Sequence, residues 1–206
     1  MHLLKPGDEV LTAPDIYGGA MGYFMHEATE NQGINFKLVD YQKLDEVEKH
    51  IGPKTKFLYL ESPSNPILKI YDIAKVAILA KKHSLKLIVD NTFLSPYFQN
   101  PLKLGADIVI HSCTKSIGGH SDLIMGAVCT NDPEVNGKMV SIQKSLGACA
   151  GPFECYLAMR GIKTLGIRMK ASAESALKLA EYLQSRTDKV SNVYYPGLST
   201  HPLHDI

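Results

Sequence analysis

The chain has 206 residues, 45% of them hydrophobic, which suits a globular protein with one large domain and part of a second. Its formal net charge is +1, so there is no electrostatic case for a nucleic-acid or membrane-surface partner. No run of about 18 apolar residues occurs that could span a membrane as a helix.

The start, MHLLKPGDEV, lacks a signal peptide's charged region, apolar core and cleavage site. Met1 to Leu4 reads as the last turn of a helix, stopped by Lys5-Pro6-Gly7. Asp8 to Ala13 reads as a strand, and Ile16-Tyr17-Gly18-Gly19 as the turn into a helix over Ala20 to Asn31. A strand over Ile34 to Val39 and a short helix over Leu44 to Ile51 follow. Lys56 to Glu61 is a strand ending in Ser62-Pro63-Ser64-Asn65-Pro66, a loop stiffened by two prolines. Ile73 to Lys82 has helical spacing, with Ile73, Val76, Ala77 and Ala80 on one face. The runs ending at Asp90 and at His111 are rich in β-branched residues and are expected as buried strands, the second over Asp107 to His111. Ala127 to Thr130 is a further strand, and Pro133 to Leu146 is amphipathic. Gly151-Pro152 opens a long helical pattern to about Ser185.

Strands alternating with helices imply right-handed β-α-β units and a mainly parallel sheet, hence an α/β fold. Loops after parallel strands share one edge, where open α/β sheets bind ligands. Tyr17, Asn65, Asp90 and Lys115 all follow strands and are expected to converge there. Lys115 sits on a tight loop, with Ser112 and Thr114 before it and Gly118-Gly119 after. A lysine, an acid and two hydroxyls suit a phosphorylated pyridine aldehyde. The lysine forms a Schiff base, the acid keeps the ring nitrogen protonated, and the hydroxyls take phosphate oxygens. The same residues admit plainer readings: a solvated lysine, and an aspartate that caps a helix or joins an ion pair. His120, Ser121 and Asp122 are consecutive and cannot form a nucleophilic triad. Lys115 precedes its glycines, so the pattern is not a P-loop.

The four cysteines, Cys113, Cys129, Cys149 and Cys155, show no C-x-x-C pairing and read as reduced thiols of a cytoplasmic protein. His201 and His204, the closest histidine pair, flank Pro202 in a turn, and no metal is expected there. The three arginines, Arg160, Arg168 and Arg186, all lie late in the chain. The region around Lys115 therefore has none of the guanidinium forks that best bind phosphate and carboxylate.

The segments DIYGG, ESPSNP, VDNTFLSPYFQNPLKLGADI, HSCTKSIGGHSD and YPGLSTHP run in order through nearly the whole chain. Together they resemble the pyridoxal-phosphate enzymes of cysteine and methionine metabolism, the cystathionine gamma-lyases above all. The lysine loop with its GHSD tail is specific for the family. It is less so for the member, since beta-lyases, gamma-synthases and methionine gamma-lyases share it.

The resemblance implies a fold-type I large domain over residues 1–150, lacking its first portion. It implies a long connecting helix and the start of a small C-terminal α+β domain over residues 151–206, with Val190 to Tyr195 as that domain's first strand. It makes Lys115 the Schiff-base lysine and Asp90 the partner of the pyridinium nitrogen. Ser112 and Thr114 become phosphate ligands, and Asn65 a contact of the ring hydroxyl. Tyr17 would stack on the ring and assist proton transfer, while Glu61 orients its loop. The implied reaction is γ-elimination of cystathionine, with a sulfur-containing amino acid as substrate and pyridoxal 5'-phosphate as cofactor. The implied assembly is a homo-oligomer, dimer or tetramer. The competing expectation of another class is a non-catalytic homologue that keeps the fold. The sequence departs from the family where Ala20, Met21 and Gly22 replace a threonine and a substrate-binding arginine, and where Ser116 replaces an aromatic residue.

Overall fold

The structure, a computed structural model, describes residues 2–206. Six strands form one sheet: β1 (Glu9–Thr12), β2 (Asn35–Leu38), β3 (Thr55–Glu61), β4 (Lys86–Asp90), β5 (Ile108–Ser112) and β6 (Gly126–Thr130). Their order is β2-β1-β3-β4-β5-β6. The first five are parallel and β6 runs antiparallel to β5. The mixed, mostly parallel sheet with connecting helices is the α/β architecture that alternating strand and helix patterns imply.

The central strands are apolar because both faces are covered. Leu58 and Leu60 on β3, and Leu87 and Val89 on β4, have no exposed surface. They join one core with Val10 and Leu11 of β1 and Val76 and Ala80 of helix α3. Helix α3 (Ile73–Lys82) begins at Asp72, whose side chain accepts the Lys75 N–H as an N-cap. Its buried face includes Ile73, Val76, Ala77 and Ala80, the face that helical spacing marks out.

Between β1 and β2 the chain makes helix α1 (Gly18–Gly22) and then a π-helix over Tyr23–Asn31, where a single α-helix over Ala20 to Asn31 is expected. The Thr29 hydroxyl donates to the Phe24 carbonyl five residues back at 2.8 Å, in keeping with the wider turn. Phe24 stacks on Phe36 with centroids 4.6 Å apart, which anchors the element to β2.

The helical pattern after Gly151 is broken. It forms α6 (Pro152–Ile162) and α7 (Leu165–Ser185). The Thr164 hydroxyl bonds the Gly161 carbonyl at 3.2 Å and so takes a backbone acceptor at the end of α6. The intervening helices are α2 (Leu44–His50), α4 (Ser95–Phe98) and α5 (Pro133–Leu146).

Two other expectations change. His2 to Leu4 are turn and bend rather than helix, and Met1 lies outside the described residues. Residues 190–195 form no strand, since no neighbouring strand among the described residues pairs with them. Among the described residues no helix is long and apolar enough to cross a membrane.

Candidate active site

The chain passes from β2, outside β1, to β3 on the other side of β1. That reversal makes a crevice between the C-terminal ends of β1 and β3, the usual ligand position in an open parallel sheet. Tyr17 follows β1, and Glu61 ends β3. They meet across the crevice: the Tyr17 backbone N–H donates to Glu61 Oε2 at 2.8 Å. A cavity of about 610 Å³ runs from there along the ends of β4 and β5.

All six residues proposed from the sequence border this cavity: Tyr17, Asn65, Asp90, Ser112, Thr114 and Lys115. The parallel register places Glu61 opposite Asp90, so the two acids project from one face. The Asp90 carboxylate accepts the Thr92 N–H at 2.9 Å. Thr92 Oγ1 in turn accepts the Ser112 N–H at 2.8 Å, which ties the end of β4 to the end of β5. Asp90 and Lys115 therefore face one space from adjoining strands.

Lys115 lies on the turn after β5, where its N–H donates to the Ser112 carbonyl at 3.1 Å and its carbonyl accepts the Gly119 N–H at 2.7 Å. Thr114 Oγ1 accepts the Met125 N–H at 3.0 Å, so its hydroxyl also braces the loop. His120 Nδ1 makes a 2.8 Å hydrogen bond with the Gly118 carbonyl, a structural contact within that loop. Asn65 stands between two cis peptide bonds, Ser62-Pro63 and Asn65-Pro66.

Electrostatics differ along the wall. Glu61 is only 4% exposed. Burial pushes its carboxyl up to about 7, the Tyr17 N–H opposes this, and the Asp90 carboxylate adds to it. Burial, reinforced by Asp90 and Glu61, holds the Tyr59 hydroxyl protonated. His111 is buried on β5 with an unpartnered Nδ1 among the described residues, and burial holds it below the ordinary imidazole range.

Sequence reasoning misses three lining residues, Thr92, Phe93 and Ile124, and marks a fourth, Ser116, only as a departure from the family. Thr92 and Phe93 follow Asp90 directly, so the strand-end rule that selects Asp90 could have included them. Ile124 carries no such signal. It comes back to the cavity only because β6 turns antiparallel to β5. None of the cavity-lining residues is an arginine. Arg160 is exposed on α6, Arg186 bonds Asp188, and Arg168 bonds backbone carbonyls. The four cysteines are unpaired, and no group of three metal-ligating side chains occurs among the described residues.

A cystathionine gamma-lyase of Dictyostelium discoideum is 48% identical over 100% of this chain and 52% of its own length. A cystathionine beta-lyase of Lactococcus lactis subsp. cremoris is 45% identical, again over 100% of this chain and 54% of its own. The crystal structure of cystathionine gamma-lyase from Lactobacillus plantarum, complexed with L-serine, superposes with a TM-score of 0.94. It is 43% identical and covers 98% of this chain and 53% of its own. The chain thus spans about half the length of these relatives. The family model for Cys/Met metabolism PLP-dependent enzymes matches residues 1–206. A lysine and an acid facing one cavity at the strand ends, and a match along the whole chain, make it a member of that pyridoxal-phosphate-dependent family.

Proposed function

We propose that the protein is a carbon–sulfur lyase that splits cystathionine by γ-elimination into cysteine, 2-oxobutanoate and ammonia. The observation that carries this is the convergence of Lys115, Asp90, Ser112, Thr114, Asn65 and Tyr17 on one cavity. Its size suits a cofactor-sized ligand. The donor set fits pyridoxal phosphate at the ring and aldehyde ends, whereas hydroxyls and backbone, with no guanidinium, meet the phosphate. When bound, that cofactor supplies a carbonyl for amines and a cationic ring that stores the electron pair left at the substrate Cα.

The chain's own groups do the rest. Lys115 would hold the cofactor through its amine and would serve as the base for the substrate Cα proton. Asp90, itself held by the Thr92 N–H, would keep the proton on the ring nitrogen. The Ser112 and Thr114 hydroxyls would donate to phosphate oxygens, and Asn65 would take the ring hydroxyl. Tyr17 would cover the ring and relay a proton, its backbone N–H being held by Glu61.

A relative named cystathionine beta-lyase matches nearly as well as one named gamma-lyase, which favours β-elimination as the second reading. Gamma-synthase and methionine gamma-lyase chemistry would use the same residues. A cavity lined by no arginine suits a third reading, a homologue that binds cofactor without turnover. Residues 1–150 would form the cofactor-binding part and residues 151–206 the connection to a smaller domain. Unpaired cysteines suit a cytoplasmic setting.

The test has two steps. Visible absorbance with added pyridoxal phosphate, before and after borohydride, shows whether Lys115 takes the cofactor. Cystathionine is then supplied: 2-oxobutanoate with cysteine marks γ-elimination, pyruvate with homocysteine marks β-elimination, and neither product marks the non-catalytic reading.

A further inference from the structure

Arg168, which with Thr114, Lys115 and Ser116 lines a second cavity of about 890 Å³, lies at the α6–α7 junction that braces the turn carrying Lys115. The Arg168 guanidinium does most of this. Its Nη1 donates to the Ser116 carbonyl at 2.7 Å, and its Nη2 to the Gly161 carbonyl at 2.7 Å. Its Nε donates to Thr164 Oγ1 at 3.0 Å. One rigid fork therefore joins the residue after Lys115 to the end of α6 and the start of α7.

Two glycines admit this approach. A Cβ at Gly119, where φ is +76°, would overlap the Arg168 guanidinium. A Cβ at Gly161 would overlap the Gly118 carbonyl oxygen and stand 2.6 Å from that of Ile117. Beneath them Cys113, Ile117 and Leu123 bury against Ala158 of α6 in a small apolar cluster of their own. Hydrogen bonds, backbone approach and apolar packing thus all point to the same contact.

We propose that Arg168 is a positioning residue for Lys115: it clamps the carbonyls of the lysine turn so that the amine is presented to the cavity at a fixed height. This rests on the reading of Lys115 as the cofactor lysine. It assigns the one arginine near the site to the backbone of the turn rather than to a bound anion. A lysine at position 168 could not reproduce three divergent donors from one plane.

The test uses Arg168→Ala, Arg168→Lys and Gly161→Ala in the protein, with two readouts. The first needs no cofactor: amide hydrogen exchange over residues 114–119, where the Gly118 and Gly119 N–H groups bond Cys113 and Lys115. Arg168→Ala should speed exchange there by about tenfold or more, as loss of a charge-assisted hydrogen bond allows, with β3 and β4 unchanged. Arg168→Lys should fall between. The second readout is the rate of borohydride-trapped cofactor attachment at Lys115, expected to drop by about tenfold, with kcat falling and KM nearly constant. Gly161→Ala covers the case in which Arg168→Ala fails to fold. It improves helix propensity in α6 yet pushes the turn away, so it should reproduce both effects. Exchange and attachment rates that match the unsubstituted protein in Arg168→Ala, or in Gly161→Ala if that variant stands in for it, overturn the proposal. A looser turn in a protein that never takes up cofactor supports the clamp and overturns the cofactor reading instead.

Discussion

Glu61 sits where sheet burial and cavity chemistry conflict. Its carboxyl titrates at about 7 in the fold against an ordinary value of 4.5. Between those two values the folded protein holds a proton that the unfolded chain has released. This group's contribution to stability is therefore full below about 4.5 and is lost as pH rises to about 7. Glu61→Gln keeps an acceptor for the Tyr17 N–H and removes the titration. Without cofactor, the variant should gain in unfolding midpoint on the unsubstituted protein as pH is raised from about 5 to about 8. Parallel curves would show that Glu61 is solvated in solution. At Asp90 the expectation is different. Asp90→Asn should still fix cofactor at Lys115 but lose roughly 10²–10³-fold in kcat, because a preorganised charge opposite the ring is gone. Lys115→Ala should abolish borohydride fixation altogether, checked by mass mapping of the reduced peptide. A reduced adduct on any other lysine would refute the assignment.

At the scale of elements, β3 is the strand on which the rest depends, and Leu60 has no exposed surface. Leu60→Ala should cost about 2–5 kcal/mol, read as a lower urea midpoint at unchanged slope. Much at this scale is legible in the sequence. The apolar spacing of Ile73, Val76, Ala77 and Ala80 locates α3, and turn residues after each β-branched run locate the cavity edge. What escapes depends on distant partners. A nine-residue apolar pattern does not separate a π-helix from an α-helix, and Tyr23–Asn31 shows it. The long pattern after Gly151 breaks at Thr164 because its hydroxyl finds the Gly161 carbonyl. Residues 190–195 have strand-like composition but no partner strand among the described residues. The role of Arg168 escapes as well, because one of its acceptors, the Ser116 carbonyl, lies 52 residues away in sequence.

For the whole molecule, α6 and α7 leave large apolar side chains in solvent. Phe153 is 66%, Met159 61% and Ile167 75% exposed. A surface of this kind calls for cover, and a homo-oligomer is the assembly proposed. Sedimentation of the protein should give at least a dimer; a stable, active monomer would argue against it. With no arginine among the residues that line the cavity, cystathionine turnover should lie below about a tenth of the efficiency of a relative that brings two guanidiniums to the site, since two charge-assisted contacts are worth roughly a hundredfold or more. A side-by-side assay at equal cofactor saturation checks this. The strand order has one more implication. Strands β3 to β6 pair in chain sequence, so Asp90 and Lys115 belong to one contiguous block, whereas Tyr17 reaches the cavity from the far side of the crevice. On the proposed reading, the reactive residues and the cover over them thus lie on separate stretches of the chain. Exchange of the short segment around Tyr17 to Gly22 between relatives could redirect which sulfur compound is chosen while the reactive block stays as it is.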